Sequence, residues 1–298
     1  MPNNNAPSSQ QSVTGASTEL PKPTKENPLV FEVRGVVTKI EAAEKKVVIK
    51  HEEIPNYMPA MTMPFDVKNT NELAGISTND QVSFKMIVTD DDGWIENIKK
   101  IGVADVTSQA QPVRPKTRLV RDVQPLSVGD KMPNYPFTNS LGQKVELKDF
   151  AGQAYAFTFI FTRCPFPTFC PKMNVNFQQA YENLKNNANA PTNWHLISIS
   201  FDPDFDTPER LKEYSKTYNP DPKKWSWVTG SMIEIDAITE QMGVYFAAEN
   251  STINHNLRTA VVDKNGVIRQ IFIGNEWSAE ELTREISAGA EGKEVGKY

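Results

Sequence analysis

Two cysteines separated by five residues, Cys164 and Cys170, are the only thiols in a chain of 298 residues. They lie in a proline-rich loop after the apolar run Tyr155 to Phe161, which predicts a strand buried on both faces. Pro171 predicts the first position of a helix, where its missing N–H costs nothing. A helix N-terminus favours a thiolate, and Arg163 adds a positive charge beside the first thiol. The pattern therefore predicts a reactive cysteine pair.

A structural role is the alternative for this pair, either as a disulfide or as two buried small hydrophobes. A disulfide that closes so short a loop stabilises less than one that closes a long loop. Inert buried cysteines also have no need of proline on both sides. We therefore favour redox or metal chemistry for the pair. A lone histidine before an apolar strand, such as His255, is by itself more often a surface residue.

A second set of soft donors occurs earlier in the chain, where His51 is followed by Met58, Met61 and Met63. On a strand, Met61 and Met63 point to the same face because they are two residues apart. Neutral imidazole and thioethers suit monovalent copper and are poor ligands for Mg²⁺ or Ca²⁺. The alternative is that the methionines simply fill a core, but a histidine within a dozen residues favours a metal site.

Five short strands without a long helix are predicted around this second set, which is typical of a small closed all-β barrel. The predicted strands are 31–40, 45–50, 61–67, 82–88 and 94–101. Farther along, strands alternate with helices and end in a hairpin across Lys264-Asn-Gly266 and a last helix, which indicates an α/β layout. Thr207, Ser231 with Glu234, and Ser278 with Glu281 are predicted helix caps.

Composition narrows the function classes. The formal charge of −5 argues against a nucleic-acid partner, which would need a basic face. No apolar run approaches the roughly 20 residues that cross a membrane. The first residues, Met1 to Ala6, lack the charged and apolar regions of a signal peptide, so none is visible. Either the protein is cytoplasmic, or an export segment and any membrane anchor lie outside this chain.

Four segments in order resemble the Sco/SenC family of thioredoxin-like copper proteins over about residues 120 to 290. They are Phe161-Thr-Arg-Cys-Pro, Cys170-Pro-Lys-Met, Ser200-Phe-Asp-Pro-Asp-Phe-Asp-Thr-Pro-Glu209 and Asn254-His-Asn-Leu-Arg-Thr259. In that family a Cys-x-x-x-Cys-Pro loop and a distant histidine bind copper, so the resemblance implies Cys164, Cys170 and His255 as ligands. This chain has five residues between the cysteines instead of three. Asp202 matches an acidic position of the family, which implies that it orients the site.

The earlier part of the chain resembles the CusF family of periplasmic copper-binding barrels, and the resemblance spans most of residues 30 to 103. The segments that carry it are Val48-Ile-Lys-His-Glu-Glu-Ile-Pro and Met58-Pro-Ala-Met-Thr-Met-Pro-Phe. The resemblance implies His51, Met61 and Met63 as copper ligands. The family's tryptophan, which lies over the copper, corresponds to Met58. Either Met58 is an extra ligand, or the adjacent Tyr57 shields the metal.

These observations predict four segments. Residues 1–28 form a disordered tether, 29–104 a five-stranded, OB-like copper-binding barrel, 105–125 a linker, and 126–298 an α/β thioredoxin-like Sco/SenC domain. The two copper modules could meet and pass metal from one to the other, or they could act independently.

The resemblances imply a copper-binding metallochaperone, located in the periplasm or otherwise outside the cytoplasm, that delivers Cu(I) or Cu(II) to a respiratory cytochrome oxidase subunit or to another periplasmic copper protein. A thiol–disulfide oxidoreductase, in which Cys164 attacks and Cys170 resolves, is the enzyme alternative. A copper buffer or resistance protein, which needs no client, is the third.

Overall fold

The computed structural model describes residues 23–58, 60–104, 123–249 and 252–296. Residues 1–22 of the predicted tether and 105–122 of the predicted linker lie outside the described residues. The described chain contains a five-stranded sheet, a seven-stranded sheet with four α-helices, and a two-stranded hairpin.

The five-stranded sheet is antiparallel and has the strand order β3-β2-β1-β4-β5. Its strands are β1 Leu29–Glu41, β2 Lys46–His51, β3 Met61–Asp66, β4 Asp80–Val88 and β5 Gly93–Val103. A parallel bridge between Val67, just after β3, and Ile95 of β5 joins the two edges. The predicted five-stranded barrel is therefore confirmed.

The long strand β1 makes this closure possible, because its first half pairs with β4 and its second half with β2. At the crossover, Gly35 pairs with both His51 and Val82. A Cβ at Gly35 would lie 2.5 Å from Ile49 Cγ2 and 2.9 Å from the Cα of His51. Only glycine allows this approach of the strand that carries the histidine.

The seven-stranded sheet has the order β14-β13-β8-β9-β10-β6-β7, with β8, β9 and β10 parallel to one another. Its strands are β6 Pro136–Asn139, β7 Lys144–Glu146, β8 Ala154–Ile160, β9 Trp194–Ser200, β10 Trp225–Thr229, β13 Arg258–Val262 and β14 Ile268–Ile273. All seven residues of β8 and all seven of β9 are buried, as expected for central parallel strands.

Four helices complete this α/β, thioredoxin-like domain: α1 Cys170–Asn186, α2 Pro208–Ser215, α3 Met232–Gln241 and α4 Ala279–Glu291. Helix α1 packs against α4, and both contact β8. The side chain of Thr207 caps α2, and Ser278 and Glu281 form the predicted capping box of α4.

Two sequence predictions at helix starts need correction. Helix α1 begins at Cys170, so Pro171 is its second residue and not its first. The predicted capping box of Ser231 with Glu234 is wrong, because the Ser231 side chain makes no cap hydrogen bond. The amide of Glu234 donates instead to the main-chain carbonyl of Ser231, at 3.0 Å.

A hairpin that the sequence did not reveal follows α3. It consists of β11 Phe246–Glu249 and β12 Thr252–His255, which pair antiparallel so that Phe246 lies opposite His255. The hairpin contacts β3 of the barrel. It therefore carries His255 to the place where the two domains meet.

Candidate metal centre

The loop that carries Cys164 is fixed at its start by a buried carboxylate. Asp206, which is fully buried, accepts hydrogen bonds from the amide and the hydroxyl of Thr162 and from the hydroxyl of Ser200. Burial raises the pKa of Asp206, while these hydrogen bonds oppose the rise. The end of β8 and the end of β9 are thereby tied together directly below Cys164.

Three ligand atoms converge at the end of this loop. The Sγ atoms of Cys164 and Cys170 and an imidazole nitrogen of His255 all lie within 4.8 Å of one another. Cys170 is the first residue of α1 and is buried, whereas Cys164 is half-buried. The distance from Cys170 Sγ to His255 Nε2 is 3.8 Å. Within the described residues this is the one cluster of three or more His, Cys, Asp or Glu side chains with such geometry.

The ring of His255 is oriented by its main chain. Its Nδ1 lies 2.9 Å from the carbonyl oxygen of Asn256 and donates to it, so Nε2 faces the sulfurs, where it donates to a thiolate when it carries a proton and can bind a metal when it does not. Aromatic rings surround the imidazole, with centroids of Phe201 at 4.8 Å, Phe161 at 5.4 Å and Phe169 at 6.2 Å. Nε2 is therefore presented to the two sulfurs in apolar surroundings.

The two thiols differ in acidity. Burial alone would raise the pKa of Cys164, but hydrogen bonds from Cys170 and His255 outweigh it and lower the pKa to about 5. Burial raises the pKa of Cys170, and the neighbouring Cys164 raises it further. Cys164 is thus the thiolate of the pair and Cys170 the thiol.

Arg163 does not supply the charge that the sequence suggested. Its guanidinium donates to Asp202, with Nη2 2.6 Å and Nε 3.2 Å from the carboxylate, and it stacks on Phe205 with 4.0 Å between Cζ and the ring centroid. The positive charge is thereby paired outside the thiol cluster. Asp202 therefore acts on the site by holding Arg163 and not by a direct hydrogen bond to one of the three ligand side chains.

The methionines and histidine of the barrel lie together on its inner side. Met61 and Met63 alternate inward along β3, and His51 lies directly opposite Met61 on β2. His51 is almost fully buried, and its Nδ1 lies 2.7 Å from the carbonyl oxygen of Glu52, the same arrangement as at His255. Both histidines therefore direct Nε2 away from the main chain.

Met58 and Tyr57 have different surroundings. Met58 is buried and lines the same cavity as Met61 and Met63. The ring of Tyr57 stacks on Phe31 at 4.6 Å, and its hydroxyl donates to the carbonyl oxygen of Pro165 at 3.0 Å. Of the two alternatives, the geometry favours Met58 as the ligand and gives Tyr57 a contact with the cysteine loop.

The two donor sets face each other across one cavity. Met58, Met61 and Met63 line it on the barrel side, and Cys164 and His255 on the other. The remaining lining residues are apolar: Phe161, Pro165, Phe166, Phe169 and Ile253. The lining offers thioether, thiol and imidazole donors and no carboxylate, so its chemistry fits copper and disfavours Mg²⁺ and Ca²⁺.

Several residues of this site were not assigned a role from the sequence. Phe166 and Phe169 lie between the cysteines and looked like loop residues, but Phe166 belongs to the apolar core of the barrel and Phe169 contacts both cores. Asp206 was visible only as part of a motif. His195, to which no role was assigned, lies at the opposite end of β9 from Ser200 and is not part of this site; it is buried, contacts Ser226 Oγ at 2.8 Å, and burial lowers its pKa to about 4.

Among the described residues, no helix is both long and apolar enough to cross a membrane.

Comparison with known proteins gives matches for both domains. Residues 124–291 match the model of the SCO1/SenC family, and residues 30–100 match that of the copper binding periplasmic protein CusF. A SCO1 protein homolog of Bacillus subtilis is 33% identical over 104 residues, which is 34% of this chain and 51% of the relative. Protein sco1 of Schizosaccharomyces pombe is 28% identical over 155 residues, 49% of this chain and 56% of the relative. The chain spans about half the length of these curated relatives.

Among solved structures, a SCO1/SenC family lipoprotein from Bacillus anthracis is 26% identical, with a TM-score of 0.49 over 54% of this chain and 95% of that one. ScoI of Arabidopsis thaliana, solved with copper bound, is 22% identical, with a TM-score of 0.47 over 55% and 99%. The family match extends over more than half of the sequence and includes both cysteines and His255. The chain belongs to the SCO1/SenC family.

Proposed function

We propose that this protein carries copper outside the cytoplasm and delivers it to a respiratory cytochrome oxidase, with one copper site in each domain. One observation supports this most strongly: the two sulfurs and the imidazole nitrogen of Cys164, Cys170 and His255 lie within 4.8 Å of one another. Family membership supports the same cargo. The matched CusF model is that of a periplasmic copper-binding protein, which supports the location.

The chemistry of the cluster suits a cargo site. Thiolates and a neutral imidazole are soft or intermediate donors, and Cu(I) accepts two or three of them. Cys164 is ionised near neutral pH because its pKa is lowered to about 5, whereas Cys170, whose pKa is raised, must lose its proton when copper binds. The half-buried position of Cys164 leaves an approach for an accepting protein.

Delivery is tested by mixing the reduced, Cu(I)-loaded chain with the copper-free soluble copper domain of an oxidase subunit, in the absence of oxygen. Copper should move to the acceptor, as measured by metal content after separation. The matched control is the Cys164→Ser, Cys170→Ser chain, which retains the barrel set and should transfer little. Equal transfer from both chains would contradict delivery from the cysteine site.

A thiol–disulfide oxidoreductase is the second candidate, and the unequal acidity of the cysteines favours it. Cys164, with its pKa of about 5, would attack a disulfide sulfur, and Cys170 would then displace the partner to form the Cys164–Cys170 disulfide. A disulfide exchange rate measured on a small dithiol probe tests this activity. If bound copper does not slow the disulfide exchange, copper binding and exchange do not use the same two thiols.

A further inference from the structure

The loop between the two cysteines also attaches the barrel. Phe166 is 2% exposed and is part of the barrel core, where its ring lies edge-on to Phe65 with centroids 6.2 Å apart. Gly93 of β5 faces this ring, and a Cβ there would lie 2.7 Å from Phe166 Cζ. The residues that hold Cys164 and Cys170 in place are therefore the ones that dock the other domain.

Polar contacts support the same docking. Tyr57 donates to the carbonyl oxygen of Pro165, the residue after Cys164. On another side, Lys46 of β2 pairs with Glu276 of the α/β domain at 2.8 Å and with Asp66 of its own domain at 3.4 Å. These contacts fix the barrel against the cysteine loop and against the segment that precedes α4.

The docking turns the two donor sets toward each other. Met58, Met61 and Met63 share one cavity with Cys164 and His255. Cys170 and His51 do not line the cavity, but each adjoins a residue that does. The ligand atom of Cys170 lies within 4.8 Å of those of Cys164 and His255, and His51 pairs with Met61. A cation that leaves the methionines for Cys164 would therefore cross one cavity whose remaining lining is apolar.

We propose that this cavity is a transfer chamber, in which Cu(I) passes directly from the barrel methionines to Cys164 and His255 of the same chain. The inference rests on the proposed copper-carrier function and assigns the barrel the role of internal donor. The step is a ligand exchange without change of oxidation state. The Cys164 thiolate and His255 Nε2 bind copper as thioethers leave, and Cys170 releases its proton when it joins.

The direction follows from charge. Thioethers are neutral, whereas Cys164 and the deprotonated Cys170 are anions, and their attraction for a cation is strengthened where water is excluded. Copper should therefore move from the barrel to the cysteines. A Cys164–Cys170 disulfide removes both anionic ligands and should hold copper on the barrel until the disulfide is reduced.

Two glycines of β5 provide a matched pair of variants. Gly93→Ala places a methyl group against Phe166 and should loosen the docking without altering any ligand. Gly102→Ala introduces the same methyl group on the same strand, where the nearest atom, at 2.8 Å, is the flexible end of Gln81. Gly102→Ala therefore serves as the control.

The experiment starts from the full chain in its disulfide form, with one equivalent of Cu(I) on the barrel and no oxygen present. An excess of a phosphine reductant is added. Thiol release is followed by quenched alkylation, and copper arrival by the ultraviolet absorption of the copper–thiolate bond. In the native chain and in Gly102→Ala, arrival should coincide with thiol release. In Gly93→Ala the rate of copper arrival should be several-fold lower than the rate of thiol release, because the local concentration of the acceptor falls.

The native chain alone also tests the proposal. Its arrival rate should not change on dilution, nor on addition of a water-soluble Cu(I) chelator that leaves the barrel copper in place before reduction. Interception by the chelator, or equal rates in Gly93→Ala and the native chain, would overturn direct transfer. If the disulfide form binds no copper, the barrel site is absent and internal transfer falls with it, while the cysteine site stands. If the reduced chain binds no copper at all, the copper-carrier function itself fails.

Discussion

Arg163 and Asp202 join the cysteine loop to the segment after β9 through a guanidinium–carboxylate pair of 2.6 Å. Asp202 is mostly buried, whereas Arg163 is partly exposed. The pair lies one residue from Cys164 and fixes the main chain there. We therefore infer that Asp202 positions the thiolate by way of Arg163.

Asp202→Asn should weaken copper binding at the cysteine site by up to about 10-fold, the low end of the loss for a direct partner of a metal ligand, because Asp202 acts one step removed, through Arg163. The measurement is a Cu(I) competition titration of the Cys164 site. Asp204→Asn is the control, because Asp204 is exposed in the same loop. Equal affinities for the Asp202 variant and the native protein would show that the pair has no positioning role.

Alkylation should distinguish the two thiols in the metal-free reduced protein. With a pKa of about 5, Cys164 is a thiolate at neutral pH, so its reaction rate should stay level as the pH falls from 8 to about 6 and decline toward pH 5. Cys170, whose pKa is raised, should react slowly throughout this range. Peptide mass spectrometry identifies the labelled residue.

His255→Ala removes a hydrogen bond that lowers the pKa of Cys164, so the decline should move to higher pH in that variant. Preferential labelling of Cys170, or the profile of an ordinary thiol with a pKa near 8.5 at Cys164, would refute this assignment.

His255→Ala should also separate the two oxidation states of copper. Two sulfurs still suffice for Cu(I), whereas Cu(II) prefers more ligands and a nitrogen among them. Cu(II) binding should therefore fall much more than Cu(I) binding, and disulfide exchange should change little. Retained Cu(II) binding with a collapsed exchange rate would favour the oxidoreductase, with His255 as its base.

A buried ion pair should dominate the stability of the C-terminal part. Arg269 is 2% exposed, donates to Glu285 at 3.1 Å and also bonds the carbonyl oxygen of Lys293 at 2.5 Å. Arg269→Leu should lower the free energy of unfolding by about 3–5 kcal/mol, because it leaves the Glu285 carboxylate without its main cation. Denaturant unfolding measures the change.

Arg284→Leu is the control for that experiment, because Arg284 is half-exposed and lies 3.7 Å from the same carboxylate. Its loss should cost about 1 kcal/mol or less. Comparable losses in both variants would contradict a special role for the buried pair.

Local patterns predicted most of the elements. The two-residue spacing of Met61 and Met63 predicted the inner face of β3, and Thr207 and Ser278 predicted two helix starts. The hairpin that ends at His255 was missed because its residues, Thr252 to His255, are mostly polar and its pairing depends on contacts with β3. Such tertiary contacts leave no periodicity in the sequence.

The sequence could not predict that the barrel donors and the cysteine-site donors face each other across one cavity, for a similar reason. Phe166 looked like part of a flexible proline-rich loop, yet it is buried in a domain that begins more than a hundred residues earlier. A docking contact of this kind depends on the shape of both partners. The prediction that Arg163 adds a positive charge beside the thiol was wrong for the same reason, because the guanidinium pairs with Asp202, which comes from another loop.

The central claim, copper in two soft sites of one chain, is tested most directly by the Cu(I) stoichiometry of the reduced protein. We predict two equivalents for the native chain and one for Met61→Ala, Met63→Ala. We also predict one equivalent for Cys164→Ser, Cys170→Ser. A single equivalent in the native chain that survives the methionine replacements would contradict the barrel site, and one that survives the cysteine replacements would contradict the cysteine site.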